Sequence, residues 1–258
     1  MKRSLILLYG VACYAVFFAT FLYAIGFIGN LWVPKTLDSP RTTGVASAVL
    51  VDLGLLALFA LQHSVMARPW FKRAWTRIIP ASAERSTYTL LSSLALILLF
   101  WAWRPIGGVV WEVHDPLARI ALHAAYAFGW ALLLYTTFLL NHFDLFGLRQ
   151  VWLQFRRRPY SHLPFRTPSV YRWVRHPLYL AWLLTFWATP TMTLTHLVFA
   201  LATTAYILVA IQWEERDLLA ALPEYAGYRQ RVPMLLPGRR GQRASAAATV
   251  GNLERPTG

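Results

Sequence analysis

The residues of this chain whose types suit chemistry fall into four short clusters between long apolar runs. They are Arg175-His176-Pro177-Leu178-Tyr179; Glu214-Glu215; Tyr225 and Tyr228 with Arg229; and Gln62-His63-Ser64 together with Asn141-His142-Phe143-Asp144. Histidine moves protons near neutral pH, and Asp144 lies close enough to His142 in sequence to suggest an acid–base pair. Proline suits the first position of a helix, which sets His176 at a helix mouth where backbone donors point outward. Two acids at the carboxy end of a helix oppose its dipole, so Glu214 and Glu215 imply a cationic or hydroxyl-rich partner. Each cluster also has a plain structural reading. Arg175-His176 can snorkel to a membrane surface, the glutamates can pair with Arg216, Tyr225 and Tyr228 can anchor an interfacial helix, and His63 can be a satisfied buried histidine.

The elements that must position these groups are membrane helices. The 258-residue chain is 57% hydrophobic and only 14% charged, against about 25% charged in soluble domains. Apolar runs near Ser4–Ile28, Gly44–Ala67, Tyr88–Trp103 and Leu117–Leu140 approach or exceed the roughly 20 residues that cross a hydrocarbon core. Trp101 and Trp103 read as interfacial anchors at the end of the third. The apolar stretch Leu178–Gln212 is long for one span and short for two, and Thr189-Pro190-Thr191 interrupts it. Proline breaks helices, so the stretch predicts a helical hairpin with a short first arm to about Ala188 and a full second arm from about Thr193. The expected fold is an all-α polytopic membrane bundle of four spans plus a carboxy-terminal hairpin. It divides into a bundle over residues 1–140, a loop, hairpin and cofactor-binding segment over 141–237, and a disordered tail over 238–258, where hydrophobicity is low and periodicity absent.

Charge sets the orientation. The Arg68–Arg85 loop carries five Lys or Arg and one acid, and the Asn141–His176 loop seven Arg and one acid. By the positive-inside rule both are cytoplasmic, as are Lys2, Arg3 and both termini. The first apolar run is too long for a cleaved signal and reads as a retained anchor. With these loops beside anionic headgroups, the net charge of +14 is explained without nucleic acid. In this orientation all four clusters come to the cytoplasmic boundary, and ionisable groups at a bilayer edge mark function. Asp52, deep in the second run, is left to pair with a polar group on another helix. The single cysteine, Cys13, excludes an intrachain disulfide. No Gly-x-Gly-x-x-Gly follows a strand, which excludes a soluble Rossmann-type enzyme. No zinc spacing is present, and no metal is expected. Haem ligation by two of the seven His stays open.

The order Arg175-His176-Pro177-x-Tyr179, apolar hairpin, Glu214-Glu215, Tyr225-x-x-Tyr228 resembles the carboxy-terminal half of the isoprenylcysteine carboxyl methyltransferase-like integral-membrane methyltransferases. Asn141–Gly147 and Gln62–Met66 are similar to the bacterial methanethiol S-methyltransferase branch. The resemblance implies S-adenosyl-L-methionine held by Tyr171, Arg175, His176, Pro177, Tyr179, Glu214, Glu215 and Tyr228. It implies an acceptor side of Gln62, Ser64 and Asn141, with His142 or His63 taking the thiol proton and Asp144 orienting the base. The implied reaction is methylation of methanethiol, a small volatile thiol, to dimethyl sulfide at the bacterial inner membrane. The lipid bilayer is then the one macroscopic partner, and no protein partner is required. Two alternatives remain at this point: methylation of a lipid or prenyl-cysteine carboxylate, and a non-enzymatic haem-binding or respiratory accessory role.

Overall fold

The computed structural model describes residues 2–161 and 163–238. Apart from Gly238, the tail expected to be disordered lies outside the described residues. Five helices are long and apolar enough to cross a bilayer: α1 (Lys2–Gly29), α2 (Val45–Ala67), α4 (Glu84–Ala102), α5 (Pro116–Leu139) and α9 (Leu194–Ala221). Short helices α3 (Pro69–Trp75), α6 (His142–Leu145), α7 (Leu148–Phe155) and α10 (Tyr225–Arg231) lie in the connections, and α8 (Pro177–Trp187) is the short hairpin arm. The protein is an all-α integral membrane bundle, with both arms of the expected hairpin present.

Each long helix begins at the bundle end opposite to its predecessor. The starts of α1, α4 and α8 therefore share one end with the finishes of α2, α5 and α9, hereafter the amino-terminal end. Pro116 opens α5 at its first turn, and the Asp115 carboxylate caps it by accepting from the Ala118 amide at 2.8 Å. Eleven residues give α8 a length of about 16 Å, well short of a span. It reaches the far end through β2 (Thr191–Thr193), which pairs antiparallel with β1 (Val109–Glu112) in the α4–α5 connection. Close contact between α5 and α8 depends on Gly129. A Cβ there would lie 2.9 Å from Thr185 Cγ2 and 3.2 Å from the Ala181 carbonyl oxygen.

The core is aromatic and aliphatic, with Phe27, Leu99, Phe100, Trp103, Trp130, Phe199 and Ile211 among its buried members. Trp103 departs from the sequence expectation. Its ring is buried and its indole N–H donates to the Leu37 carbonyl at 3.1 Å, so only Trp101 is exposed as an anchor. Cys13 is buried within the bundle. Asp52 accepts from the Arg104 amide at 2.9 Å, just past the end of α4, so its partner is backbone rather than a side chain on another helix.

A larger departure concerns Glu214 and Glu215. The second hairpin arm does not stop near Gln212 but continues to Ala221. Its 28 residues rise about 42 Å, against about 30 Å of hydrocarbon. The glutamates therefore sit two turns inside a helix that outruns the membrane, and they do not oppose a helix end. Side chains, rather than the macrodipole, account for them.

Candidate active site

At the amino-terminal end Glu215 gathers three basic side chains. Its Oε1 accepts from Arg175 Nε and Nη2, each at 2.7 Å, and lies 3.0 Å from His176 Nε2; its Oε2 accepts from Arg229 Nε at 2.9 Å. Arg175, His176 and Glu215 are all buried. Arg175 Nη1 also donates to the carbonyls of Arg229 and Val232, while the Arg175 and His176 amides donate to those of Pro233 and Met234 at 2.9 and 3.1 Å. Pro177 occupies the first turn of α8 and is buried. One carboxylate thus fastens the start of α8, the body of α9, α10 and the segment after it.

Around this clamp stand the tyrosines. The Tyr228 hydroxyl donates to the Tyr171 carbonyl at 2.6 Å. Burial pushes the Tyr228 phenol up to about 12, against the opposing pull of Arg175, and burial also raises Tyr171 and Tyr225. Phe165 packs edge-on to both Tyr225 and Tyr228. The Tyr225 hydroxyl is buried and has no hydrogen-bond partner among the described residues.

A second group is only half-buried. Glu214, Tyr179, Tyr206, Tyr88 and His63 are each partly accessible and come from α9, α8, α9, α4 and α2. The Tyr179 phenol engages the Glu214 carboxylate and stands within electrostatic range of Tyr206 and Tyr88. The Tyr88 oxygen lies 2.9 Å from His63 Nε2 and 3.1 Å from Nδ1; Ser92 Oγ is 3.2 Å from Nδ1. Ser64 Oγ and the Tyr206 hydroxyl are 3.0 Å apart. Gln62 donates to Met66 Sδ at 3.1 Å, and its buried Oε1 has no partner among the described residues.

The third group behaves differently. The His142 ring is buried, and both of its nitrogens are engaged: Nε2 with the Tyr14 hydroxyl and Nδ1 with Thr137 Oγ1, each at 2.8 Å. Its face stacks on Phe138, 4.4 Å between centroids. Burial lowers its pKa, so it is neutral at physiological pH. Asp144 turns away, accepting from Arg149 Nη1 at 2.8 Å and from Gln150 and Tyr160. Among the described residues no hydrogen bond or ion pair joins His142 to Asp144, so the expected pair does not form. Residues two apart on a helix point to different faces. Asn141, at a left-handed φ of 81°, caps α6 by accepting from the Asp144 amide at 3.1 Å.

This bundle has close relatives. A methanethiol S-methyltransferase of Crocosphaera subtropica is 56% identical over 238 residues, covering 92% of this chain and 93% of that protein. One from Mycobacterium tuberculosis is 55% identical, covering 92% and 98%. The chain belongs to the methanethiol S-methyltransferase family. As a member of that family it is a methyltransferase. A more distant likeness is to Nurim of Xenopus laevis, 30% identical over 70% of this chain and 66% of that protein. No family model matches, and no solved structure matches.

In this methyltransferase Tyr88 stands beside His63 and Tyr206 beside Ser64, a placement with little signature in the sequence. Both sit in apolar runs, where a tyrosine looks like core filling. The available signal was spacing: Tyr88 and Ser92 lie four apart and so share one face of α4.

Proposed function

We propose that the protein transfers a methyl group from S-adenosylmethionine to methanethiol, giving dimethyl sulfide, at the cytoplasmic boundary of the bacterial inner membrane. The observation that carries the reading is the identity of 55–56% over 92% of the chain with enzymes named for that acceptor. The positive loops support an orientation with both termini in the cytoplasm, so the amino-terminal end of the bundle faces the water from which a charged cofactor arrives.

The residues present fit that cofactor. An unpartnered buried hydroxyl at Tyr225, a half-buried carboxylate at Glu214 and the aromatic surfaces of Phe165 and Tyr179 suit an amino or ribose group and a cationic sulfur. Arg175, His176, Pro177, Glu215, Tyr171 and Tyr228 are committed to one another, and they build the walls of this site. Residues 141–237 thus hold the donor while residues 1–140 supply the acceptor side. Bound there, S-adenosylmethionine supplies an electrophilic methyl group.

The chain must orient the thiol and remove its proton, because a thiol is a poor nucleophile until ionised. Of the candidate bases, His63 is the best placed, being half-buried beside Tyr88, which stands within electrostatic range of Tyr179. His142 and Asp144, with their polar atoms engaged, shape the neighbouring loop, as Asn141 does by capping it. Gln62 and Ser64 flank His63 on the acceptor side. Thiolate and sulfonium cancel charge during transfer, so a site at the bilayer edge, poor in water, favours the reaction, and alignment supplies much of the remaining rate.

The test is headspace gas chromatography of membranes given methanethiol and S-adenosylmethionine. Dimethyl sulfide is the expected product. Methylation of a prenyl-cysteine carboxylate without dimethyl sulfide would refute the acceptor.

A further inference from the structure

We infer that Lys72, Trp75 and Arg85, on the connection between α2 and α4, form a seat for the phosphate of an anionic membrane lipid. The inference goes beyond the function proposed above and does not depend on it. All three side chains carry hydrogen-bond donors and no acceptor. Lys72 and Arg85 are half-buried, and among the described residues neither the ammonium nor the guanidinium makes a hydrogen bond or an ion pair. The Trp75 indole N–H is buried and lacks a partner there too. Lys72 and Trp75 lie three apart on α3, so they are neighbours on its surface. Unpartnered donors gathered in one place call for an acceptor, because a donor taken from water and left unpaired is costly.

The local acids do not supply one. Arg85 stands within electrostatic range of Lys72, as do Arg68, Glu84 and Asp217. Asp217 is taken by Arg68 at 2.8 Å, and Glu84 pairs with none of the three cations. Burial lowers the Lys72 pKa, and the charges of Arg85 and Arg68 lower it further, against the opposing pull of Glu84 and Asp217. An arriving anion relieves that strain on the ammonium. The Arg85 guanidinium also lies 5.7 Å from the centroid of the Tyr88 ring, which fixes it at the foot of α4.

Position selects a lipid as the source of the anion. α2 ends at Ala67 and α4 begins at Glu84, so the connection lies where two spans leave the hydrocarbon. Trp70 and Ile78 are exposed on either side of Lys72. Apolar side chains beside basic ones suit a segment lying in the headgroup layer. Arg73 and Arg77, both exposed, add to the attraction for anionic headgroups. The run Arg156-Arg157-Arg158 differs, because all three residues are exposed to solvent. It has the charge without the half-buried donors and serves as the control.

The experiment measures binding of phosphatidylglycerol and phosphatidylcholine to the full chain in detergent micelles by native mass spectrometry. The unaltered protein should hold phosphatidylglycerol about tenfold more tightly. Lys72→Gln and Arg85→Gln should each weaken that binding about tenfold, the loss of one charge-assisted hydrogen bond. Lys72→Arg should restore most of it. Trp75→Phe, which keeps an aromatic ring and removes the N–H, should weaken it about fivefold. Arg158→Gln should stay within about twofold. Inorganic phosphate at the same concentration as the lipid should not displace it. An unchanged affinity in Lys72→Gln, Arg85→Gln or Trp75→Phe overturns the three-donor seat. Equal losses in Arg158→Gln mean diffuse charge and overturn it as well, as does equal binding of the two lipids. Displacement by inorganic phosphate overturns the lipid as the source. Should Arg85→Gln fail to fold, the contrast between Lys72→Gln and Arg158→Gln decides the same question.

Discussion

Replacing Glu215 with alanine separates two roles that its sequence context leaves merged. The Glu215, Arg175 and His176 side chains are only 4%, 3% and 5% exposed, so the substitution leaves the Arg175 guanidinium buried with two carbonyl acceptors and no counter-charge. Breaking a buried ion pair from one side costs about 3–5 kcal/mol. The Arg229 contact adds little, because the Arg229 side chain is 44% exposed and surface pairs are worth about 0–1 kcal/mol. Set against a total stability of about 5–15 kcal/mol for a typical domain, the loss is large. It should fall on the junction of α8, α9 and α10.

Glu214→Ala should behave in the opposite way. Its carboxylate is half-buried beside Tyr179 and is not part of the clamp, so the unliganded protein should melt as before. Affinity for S-adenosylmethionine should fall about tenfold, equivalent to about 1.4 kcal/mol. The assay is thermal melting in detergent micelles with and without the cofactor, paired with calorimetric titration. The clamp reading is refuted if Glu215→Ala melts normally and loses only affinity, since its carboxylate would then be touching the cofactor instead of the protein.

Three further outcomes are expected. Reporter fusions at His114 and Arg158 should report opposite compartments, with Arg158 cytoplasmic; a shared compartment would overturn the topology. Gly129→Val should destabilise the bundle by about 1–3 kcal/mol through overpacking against Thr185 and Ala181, whereas Gly54→Ala, which meets nothing within 4 Å, should be close to neutral by the same melting assay. Burial depresses the His142 pKa, so the unfolded chain takes up a proton near the ordinary histidine value of about 6.5 before the folded one does. Stability from the neutral ring is therefore complete above that pH and lost as pH falls through the depressed value. Melting followed below neutrality should show a component of the decline that disappears in His142→Gln.

The spans were legible because hydrocarbon imposes a length and a composition, and the apolar runs meet both. The helix starts at Pro116 and Pro177 were legible for a local reason, since proline fits the first turn. What escaped depended on distance or direction. Hydropathy ends near Gln212, yet α9 continues for two more turns, because nothing between Trp213 and Pro223 breaks a helix and the clamp on Glu215 rewards continuation. The Thr191–Thr193 strand is too short to signal itself and exists only because Val109–Glu112 lies across from it. His142 and Asp144 looked like a pair by proximity, but the helical turn sends one toward Tyr14, 128 residues away, and the other toward Arg149.

Burial sorts the polar residues at this end of the bundle by what they can do. A buried group whose every polar atom is engaged holds structure, because exchanging a partner for a ligand costs as much as it returns. Arg175, Glu215 and His142 are of that kind, and His176 commits its Nε2 to Glu215. Tyr225, whose hydroxyl has no partner among the described residues, and the half-buried Glu214, Tyr179, Tyr88 and His63, whose partners are one another and Ser92 at an accessible surface, are the groups a ligand can reach. The clamp adjoins the second set along the chain: Glu215 follows Glu214 by one helical position, and His176 stands at the mouth of the helix that carries Tyr179. Such a backing fixes the second set in place, and transfer chemistry needs fixed groups because misplacement by about 1 Å can cost a hundredfold in rate. The motif that draws the eye in the sequence is thus the frame, and the less conspicuous tyrosines of α4, α8 and α9 are the surface that the frame presents.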